Sequence, residues 1–487
     1  MLIDLNQGLP EQLDITAYDA VIAGAGPVGI SLAMRLAKYG KRVALLEGGA
    51  KEFSSESQDI YTPANPDERA GTLCFARLRY LGGTSNHWAG RCRPNDPYDF
   101  EQKSEFYTET GWPISYEEFM RYLPDAREMV ELGRDQPFAP RPGTVAVAGE
   151  FFPDKFLHSP PTRFNSRYSE QLAASENIDL FINANLVDAQ LNDGLAEVSH
   201  YVVKNYDQQS FNFEAKNFVV ALGAIENARL LLNFDSQVEG GIGSAGGYLG
   251  RCFMEHINVN MATFIPNTSA WEDVDRMAYY TDFDFCRSNK IGSSNLALTY
   301  SGTSRVSGRA RAFKRYLVDK ACAWGKQDTL ANFFDFTCPT EGVITTLTEQ
   351  FPDKRNGLTL SEERDQLGLR RVEMAWDLYE TDKRTIRTIA QKFAVQATEA
   401  GLGRFNLPDY ILDENVDIRF GGHAHHLGTT RMAADPSNGV VNTDCQVFGT
   451  NNLYVAGCSV FPRGGANNPT MPAIQLALRL GDHLATV

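Results

Sequence analysis

The stretch Tyr18-Asp19-Ala20-Val21-Ile22-Ala23-Gly24-Ala25-Gly26-Pro27-Val28-Gly29 decides how the rest of the chain is read. A short apolar run that ends in glycine predicts a buried parallel strand. The Gly-x-Gly-x-x-Gly turn then opens a helical run over residues 30–39, which Gly40 stops, and a second strand over residues 42–46 ends at Glu47. Strand, glycine turn, helix, strand and acidic end, all within about thirty residues, form the dinucleotide-binding fingerprint. Gly24 permits the tight turn, Gly26 lets backbone approach a pyrophosphate, and Gly29 lets helix and strand pack closely. The helix N-terminus offers free N–H groups to the phosphates, and Pro27 is expected among the cofactor contacts. Glu47 can accept hydrogen bonds from ribose hydroxyls and disfavours a 2′-phosphate, which leaves FAD or NAD.

A chain of 487 residues that is 43% hydrophobic has material for two to four domains, unless segments interleave. Its formal net charge of -15 makes nucleic acid an unsuitable partner. The exception is a basic run, Arg305, Arg309, Arg311, Lys314, Arg315 and Lys320, which helical spacing predicts to be a solvated face. Met1-Leu2-Ile3-Asp4 begins no signal-peptide pattern, and no window is long and apolar enough to span a bilayer, so neither secretion nor a membrane is expected. Eight cysteines are scattered without a Cys-x-x-Cys pair, which fits a reducing cytoplasm and no zinc knuckle.

Further along, Gly82-Gly83-Thr84-Ser85-Asn86-His87-Trp88-Ala89-Gly90 is a glycine-rich loop that could run close to a flat ring or a phosphate, or be an ordinary tight loop. Ser115-Tyr116-Glu117-Glu118 is a capping box predicted to open a helix reaching about residue 132. Alternation over residues 197–204 predicts an antiparallel meander. Phe218-Val219-Val220-Ala221-Leu222-Gly223 is another buried strand with a glycine exit, followed by a helix over residues 226–232. A strand returning this late to the dinucleotide sheet implies a discontinuous domain. Residues 256–415 mix alternating strands (258–264, 294–300, 343–350, 371–378) with helices, one over residues 381–400. The strand Asn452-Leu453-Tyr454-Val455-Ala456-Gly457 and a helix over residues 472–484 close the chain. The expected architecture is α/β with an α+β part: a discontinuous Rossmann-like domain (residues 1–100, 186–255 and 416–487) and an antiparallel-sheet substrate domain (residues 101–185 and 256–415).

Together these segments resemble the glucose–methanol–choline (GMC) flavoprotein oxidoreductases, above all their pyranose-oxidase and FAD sugar-dehydrogenase branch. The resemblance is concentrated at residues 24–29, 82–93, 219–232 and from His425 to the C-terminal helix. It implies FAD as the cofactor. It also implies cofactor contacts from Gly82, Gly83, Thr84, Ser85, His87, Trp88 and Ala89, from Ala221 and Gly223, from Gly457 and Cys458, and from Asn468, Pro469 and Thr470. Several family members link FAD covalently through a histidine at the place of His87, and the same link is an expectation here. Two departures bear on the flavin contacts. Glu226-Asn227-Ala228 stands where the family usually has a Thr-Pro pair, and Gly457-Cys458 where many members have an acidic residue.

Oxidising an alcohol to a carbonyl requires removing the hydroxyl proton and a hydride. A neutral histidine suits the proton step, and an amide opposite it can bind the same oxygen in both of its forms. Three histidines, His423, His425 and His426, crowd one stretch. The family pattern places the base three residues before Gly-Thr and seven before Met, which selects His425 from Gly428-Thr429 and Met432. The residue before Pro469-Thr470 selects Asn468 over Asn467. Hydride then passes to flavin N5, and the N-terminus of the closing helix would favour the charge of the reduced flavin. His-x-His-His could instead hold a metal, but carboxylates nearby are sparse and His425 and His426 are expected to point apart on a strand, so no metal is expected. The expected reaction is oxidation of a secondary hydroxyl of a sugar or glycoside. The alternatives are an aryl or natural-product alcohol, or a lyase whose flavin does not cycle. Oxygen, a quinone or a redox protein could accept the electrons.

Overall fold

A computed structural model describes residues 1–65, 73–101, 111–267, 270–271, 274–300, 317, 320–321 and 341–487. Of the basic run only Lys320 falls among them, and Cys322 and Cys338 lie outside.

The parallel sheet forms as the opening motif requires. Its strands stand in the order Leu2–Asp4, Ile178–Ile182, Val43–Leu46, Tyr18–Ala23, Ala215–Val220 and Leu453–Val455, and every neighbouring pair is parallel. The chain therefore enters this sheet on four separate passes. Tyr18–Ala23 is followed on one side by Val43–Leu46 and on the other by the much later Ala215–Val220. Strand order thus reverses at its carboxyl end, the place where open α/β sheets bind ligands. The helix Pro27–Lys38 crosses one face and packs against the closing helix Thr470–Thr486.

An antiparallel sheet forms the second body. From Gly403–Asn406 it runs through Asn260–Pro266, Gly342–Thr348, Ser294–Thr299 and Arg276–Thr281 to Phe151–Pro153. The helix Glu380–Glu399 buries Ile386, Ile389, Ala390 and Phe393 in the core on this sheet, with Phe393 edge-on to Phe151 at 4.9 Å. Ile257–Asn258 joins the sheet at its inner end and pairs with Gly421–Gly422, the residues that lead into the histidine stretch.

Three expectations change. Ile178–Ile182, placed by the reading of residues 101–185 in the substrate domain, is a parallel strand between Leu2–Asp4 and Val43–Leu46. The hairpin Gly357–Arg364 with Arg370–Ala375 also leaves the substrate part, because its Leu358, Val372 and Met374 pack into the core of the parallel sheet. The helix expected from residue 116 to about 132 is two helices, Tyr116–Met120 and Leu123–Met129. Pro124 explains the break, since its ring removes a backbone donor and crowds the preceding turn. The cap itself forms: the Ser115 hydroxyl accepts from the Glu118 N–H at 3.0 Å.

Candidate active site

A cleft opens where the strand order reverses. Gly24, Gly26 and Pro27 line one end with Glu47, and the Gly83-Thr84-Ser85 loop and Trp88 lie along it. Ala221 and Gly223, then Gly457 and Cys458, line its floor. His425, Pro469 and Thr470 line the far end. The four separated segments of the sequence thus meet on one cavity.

At the near end two of the fingerprint glycines admit no side chain, whereas a Cβ on Gly26 would meet no atom within 4 Å. A Cβ on Gly29 would stand 1.8 Å from the Gly24 carbonyl oxygen, and one on Gly24 would stand 2.4 Å from that of Ala221. Gly82 and Gly83 close over this turn: the Gly82 N–H donates to the Ala25 carbonyl at 2.9 Å. Glu47 is buried, and its carboxylate accepts from the N–H groups of Gly49 at 2.9 Å and Ala25 at 3.2 Å. Burial raises its pKa above the ordinary carboxylate range, and those N–H groups and Arg79 oppose the rise.

The departure at residues 226–228 has a structural account. Asn227 Oδ1 accepts from the Leu222 N–H at 2.7 Å, while its Nδ2 donates to the Ala456 carbonyl at 3.0 Å and to Ser459 Oγ at 2.8 Å. One amide thereby ties together the turns that follow two adjacent parallel strands. Glu226 pairs with Arg77 at 2.8 Å and with Arg229 at 3.0 Å, all three buried. Arg77, Arg79 and Tyr61 also line the cleft. Sequence reading missed them, since isolated arginines and tyrosines carry no spacing.

At the far end, His425 Nε2 lies 3.2 Å from Asn468 Nδ2, while the neighbouring Asn467 donates to Asp96 Oδ2 at 3.3 Å. The other nitrogen, His425 Nδ1, lies 2.9 Å from His256 Nδ1, and His256 Nε2 lies 2.9 Å from the Gly465 carbonyl. His256 is fully buried and was not singled out from the sequence. The three clustered histidines do not lie on a strand: pairing ends at Gly422, and Ala424 takes the left-handed backbone, φ 61. Their rings diverge to three partners. His423 Nε2 donates to the Thr346 carbonyl at 2.6 Å, His425 meets His256, and His426 Nε2 stands 3.5 Å from Glu255 Oε2. Glu255 Oε1 also accepts from the backbone N–H groups of His425 at 2.7 Å and His256 at 2.9 Å.

Burial keeps these histidines neutral. It drives His425 well below the usual histidine value, with His256, His423, His426 and Arg91 adding to the drop. It also brings His256 and His426 down to about 3. Glu255 is pushed up to about 7 by burial, so its contact with His426 is not an ion pair between two fully charged groups. Thr470 begins the closing helix at the cleft, where the free N–H groups of its first turn carry partial positive charge.

Asn468 borders the cleft through His425, and Gly29 and Gly82 serve it from behind. His87 and Ala89 are exposed and do not line it. The His87 ring donates to the Ala76 carbonyl, and burial with Arg163 nearby lowers its pKa. The residues that are present fit FAD. A helix N-terminus and close-running glycine backbone stand where a pyrophosphate would lie, Glu47 where a ribose would lie, and His425 with Asn468 and the second helix N-terminus at the end a ring would reach.

Residues 352–477 match the sequence profile of the family described as GMC oxidoreductase. The chain is 24% identical to the fructose dehydrogenase large subunit of Gluconobacter japonicus, over 95% of this chain and 97% of that one. It is also 24% identical to the 2-methyl-1,2-propanediol dehydrogenase of Mycolicibacterium austroafricanum, over 96% of this chain and 95% of that one. Its fold is similar to that of the crystal structure of pyridoxine 4-oxidase from Mesorbium loti, with a TM-score of 0.59 at 16% identity, covering 96% of this chain and 99% of that one. Among the described residues no helix is long and apolar enough to cross a membrane. The C-terminal segment thus matches the GMC oxidoreductases, in a chain that aligns with two dehydrogenases over nearly their whole length and shares the fold of pyridoxine 4-oxidase.

Proposed function

We propose that this protein oxidises a secondary hydroxyl of a sugar or glycoside to a carbonyl, with FAD in the cleft and His425 as the base. The observation that carries this reading is the 3.2 Å approach of Asn468 Nδ2 to His425 Nε2 at the end of a cleft that the fingerprint turn lines at its other end. His425 Nε2 takes the hydroxyl proton. Asn468 donates to the same oxygen, so the forming carbonyl stays bound without adding charge. When bound, FAD supplies the two-electron acceptor for the hydride that leaves the carbinol carbon. The neutral state of His425 leaves a lone pair available at ordinary pH.

A polyhydroxylated substrate is supported by two of the relatives. Fructose and 2-methyl-1,2-propanediol, named by two equally similar relatives, are both hydroxyl-rich small molecules. Anaerobic mixing with a panel of sugars, glycosides, small diols and aryl alcohols tests the reading. Bleaching of the flavin band is expected first with sugars or glycosides. Bleaching by aryl alcohols alone would move the substrate to that class, and conversion of a substrate without any bleaching would point to a lyase.

His87 is the weakest support for a tether, because it is exposed, turned to Ala76 and absent from the cleft wall. FAD is therefore expected to be released on acid precipitation. A pellet that keeps its yellow colour would establish the covalent link.

A further inference from the structure

We infer that His256 is a positioning residue that fixes the tautomer of His425, leaving His425 Nε2 bare and aimed at Asn468; this rests on the proposed role of His425 as the base. The chain of contacts starts at an atom whose role is not adjustable. The Gly465 carbonyl oxygen can only accept, so His256 Nε2, 2.9 Å away, carries the proton. His256 is neutral in its fully buried site, so its Nδ1 has a lone pair and no proton. That lone pair faces His425 Nδ1 at 2.9 Å, and two bare nitrogens would repel at this distance, so His425 Nδ1 donates. A neutral His425 protonated at Nδ1 has a bare Nε2. This is the nitrogen 3.2 Å from the Asn468 amide, whose Nδ2 donates to it. Every hydrogen bond along Gly465, His256, His425 and Asn468 is satisfied in this one arrangement. The reverse assignment leaves His256 Nε2 facing a carbonyl with no proton between them.

The rings are held so that this relay cannot turn. The two imidazoles meet edge to face, 5.0 Å between centroids and 84° apart. Glu255 Oε1 accepts from the backbone N–H of both His256 and His425, so one carboxylate sets the spacing of the two residues. Ile257–Asn258 and Gly421–Gly422 pair directly behind them. The Gly465 end is fixed as well: Arg463 pairs with Glu349 and donates to the Tyr98 carbonyl at 2.8 Å. When His425 takes the substrate proton both of its nitrogens become donors. Its Nδ1–H keeps the same acceptor on His256, so the proton is received with the His256 and Gly465 contacts intact, while the Asn468 amide gives up Nε2 and donates to the substrate oxygen alone. An imidazole acceptor here does what a carboxylate does behind the histidine of hydrolase triads, but without adding a charge to the cleft.

Two substitutions separate this role from simple packing. His256→Phe removes the acceptor and keeps an aromatic ring. His256→Gln carries an acceptor and a donor at its tip, able to serve His425 and Gly465 together. Flavin reduction is followed anaerobically in the holoenzyme, with His425→Ala as the reference. Reduction is expected to slow about 100-fold or more in His256→Phe, with little change in substrate dissociation constant or flavin content. His256→Gln should come within about tenfold of wild type, the order of loss left when a geometry is kept but not optimal. A second measurement does not depend on turnover. With eight histidines in the chain, ¹⁵N-histidine labelling of the protein reads each tautomer, assigned by single substitutions. His425 is expected to be protonated at Nδ1 and His256 at Nε2. A wild-type rate in His256→Phe, an equal loss in both His256 variants, or an Nε2-protonated His425 would each overturn the inference. If His425→Ala also reduced its flavin at the wild-type rate, the base assignment itself would fall; a slow His425→Ala beside a fast His256→Phe would remove only the role of His256.

Discussion

At the scale of single residues, the proposed chemistry depends on a histidine kept neutral and an amide kept beside it. Burial and three neighbouring imidazoles lower His425, so the acid limb of flavin reduction should lie below the ordinary histidine value of about 6.5. Asn468→Asp tests both members of the pair at once. A carboxylate 3 Å or so from the ring favours the imidazolium, so the pKa of His425 rises. The base is then lost to protonation at higher pH, and the acid limb should move upward by about one to three pH units. A profile of the reductive half-reaction against pH reads the shift, and an unmoved limb would separate Asn468 from the base. The family resemblance selected His425 and Asn468 through the register of Gly428-Thr429, Met432 and Pro469-Thr470, and the two side chains stand 3.2 Å apart. His256 and Glu255 were not legible. They sit about 170 residues away in an apolar stretch, and the pairing of Ile257–Asn258 with Gly421–Gly422 and of Met254 with Leu427 brings them to the ring.

At the scale of elements, the first strand was read to the residue, while the helix expected over 30–39 begins earlier, at Pro27; each step of that motif has a steric cause. Gly29→Ala is the sharpest test of that cause. Its added methyl would meet the Gly24 carbonyl at 1.8 Å, and backbone cannot move aside as a side-chain tip can. A loss of about 3 kcal/mol or more in unfolding free energy is expected, at the upper end for overpacking, together with reduced flavin content. Denaturant unfolding with a flavin-to-protein absorbance ratio measures both, and wild-type values would show that helix and strand do not pack as closely as described. Elements without such a cause were harder to read. Leu2–Asp4 is only three residues long, too short for a periodicity. The histidine stretch reads as a strand in sequence, yet Ala424 takes a left-handed backbone that the Glu255 carboxylate stabilises by collecting the surrounding N–H groups. Pro124 was on view from the start, and its break in the helix after residue 120 follows from elementary sterics.

At the scale of the whole molecule, the parallel sheet gathers four passes of the chain, and the last of them delivers both the floor of the cleft and the closing helix. The discontinuity was legible because two late strands end in glycine like the first. The position of Ile178–Ile182 was not, since a short apolar strand carries no mark of which sheet it joins. The antiparallel body contributes the other half of the site: its inner edge holds Glu349, Thr346 and the Glu255-His256 pair against the loops that carry Asn468 and His425. Chemistry is thus assembled between two bodies, each with its own core. The measurement that tests the central claim most directly is the single-turnover rate of anaerobic flavin reduction in His425→Ala, at matched flavin content and saturating substrate. Loss of a positioned base should slow it by about 10² to 10⁴-fold while the flavin stays bound. Reduction at the wild-type rate would contradict the assignment of His425 as the base.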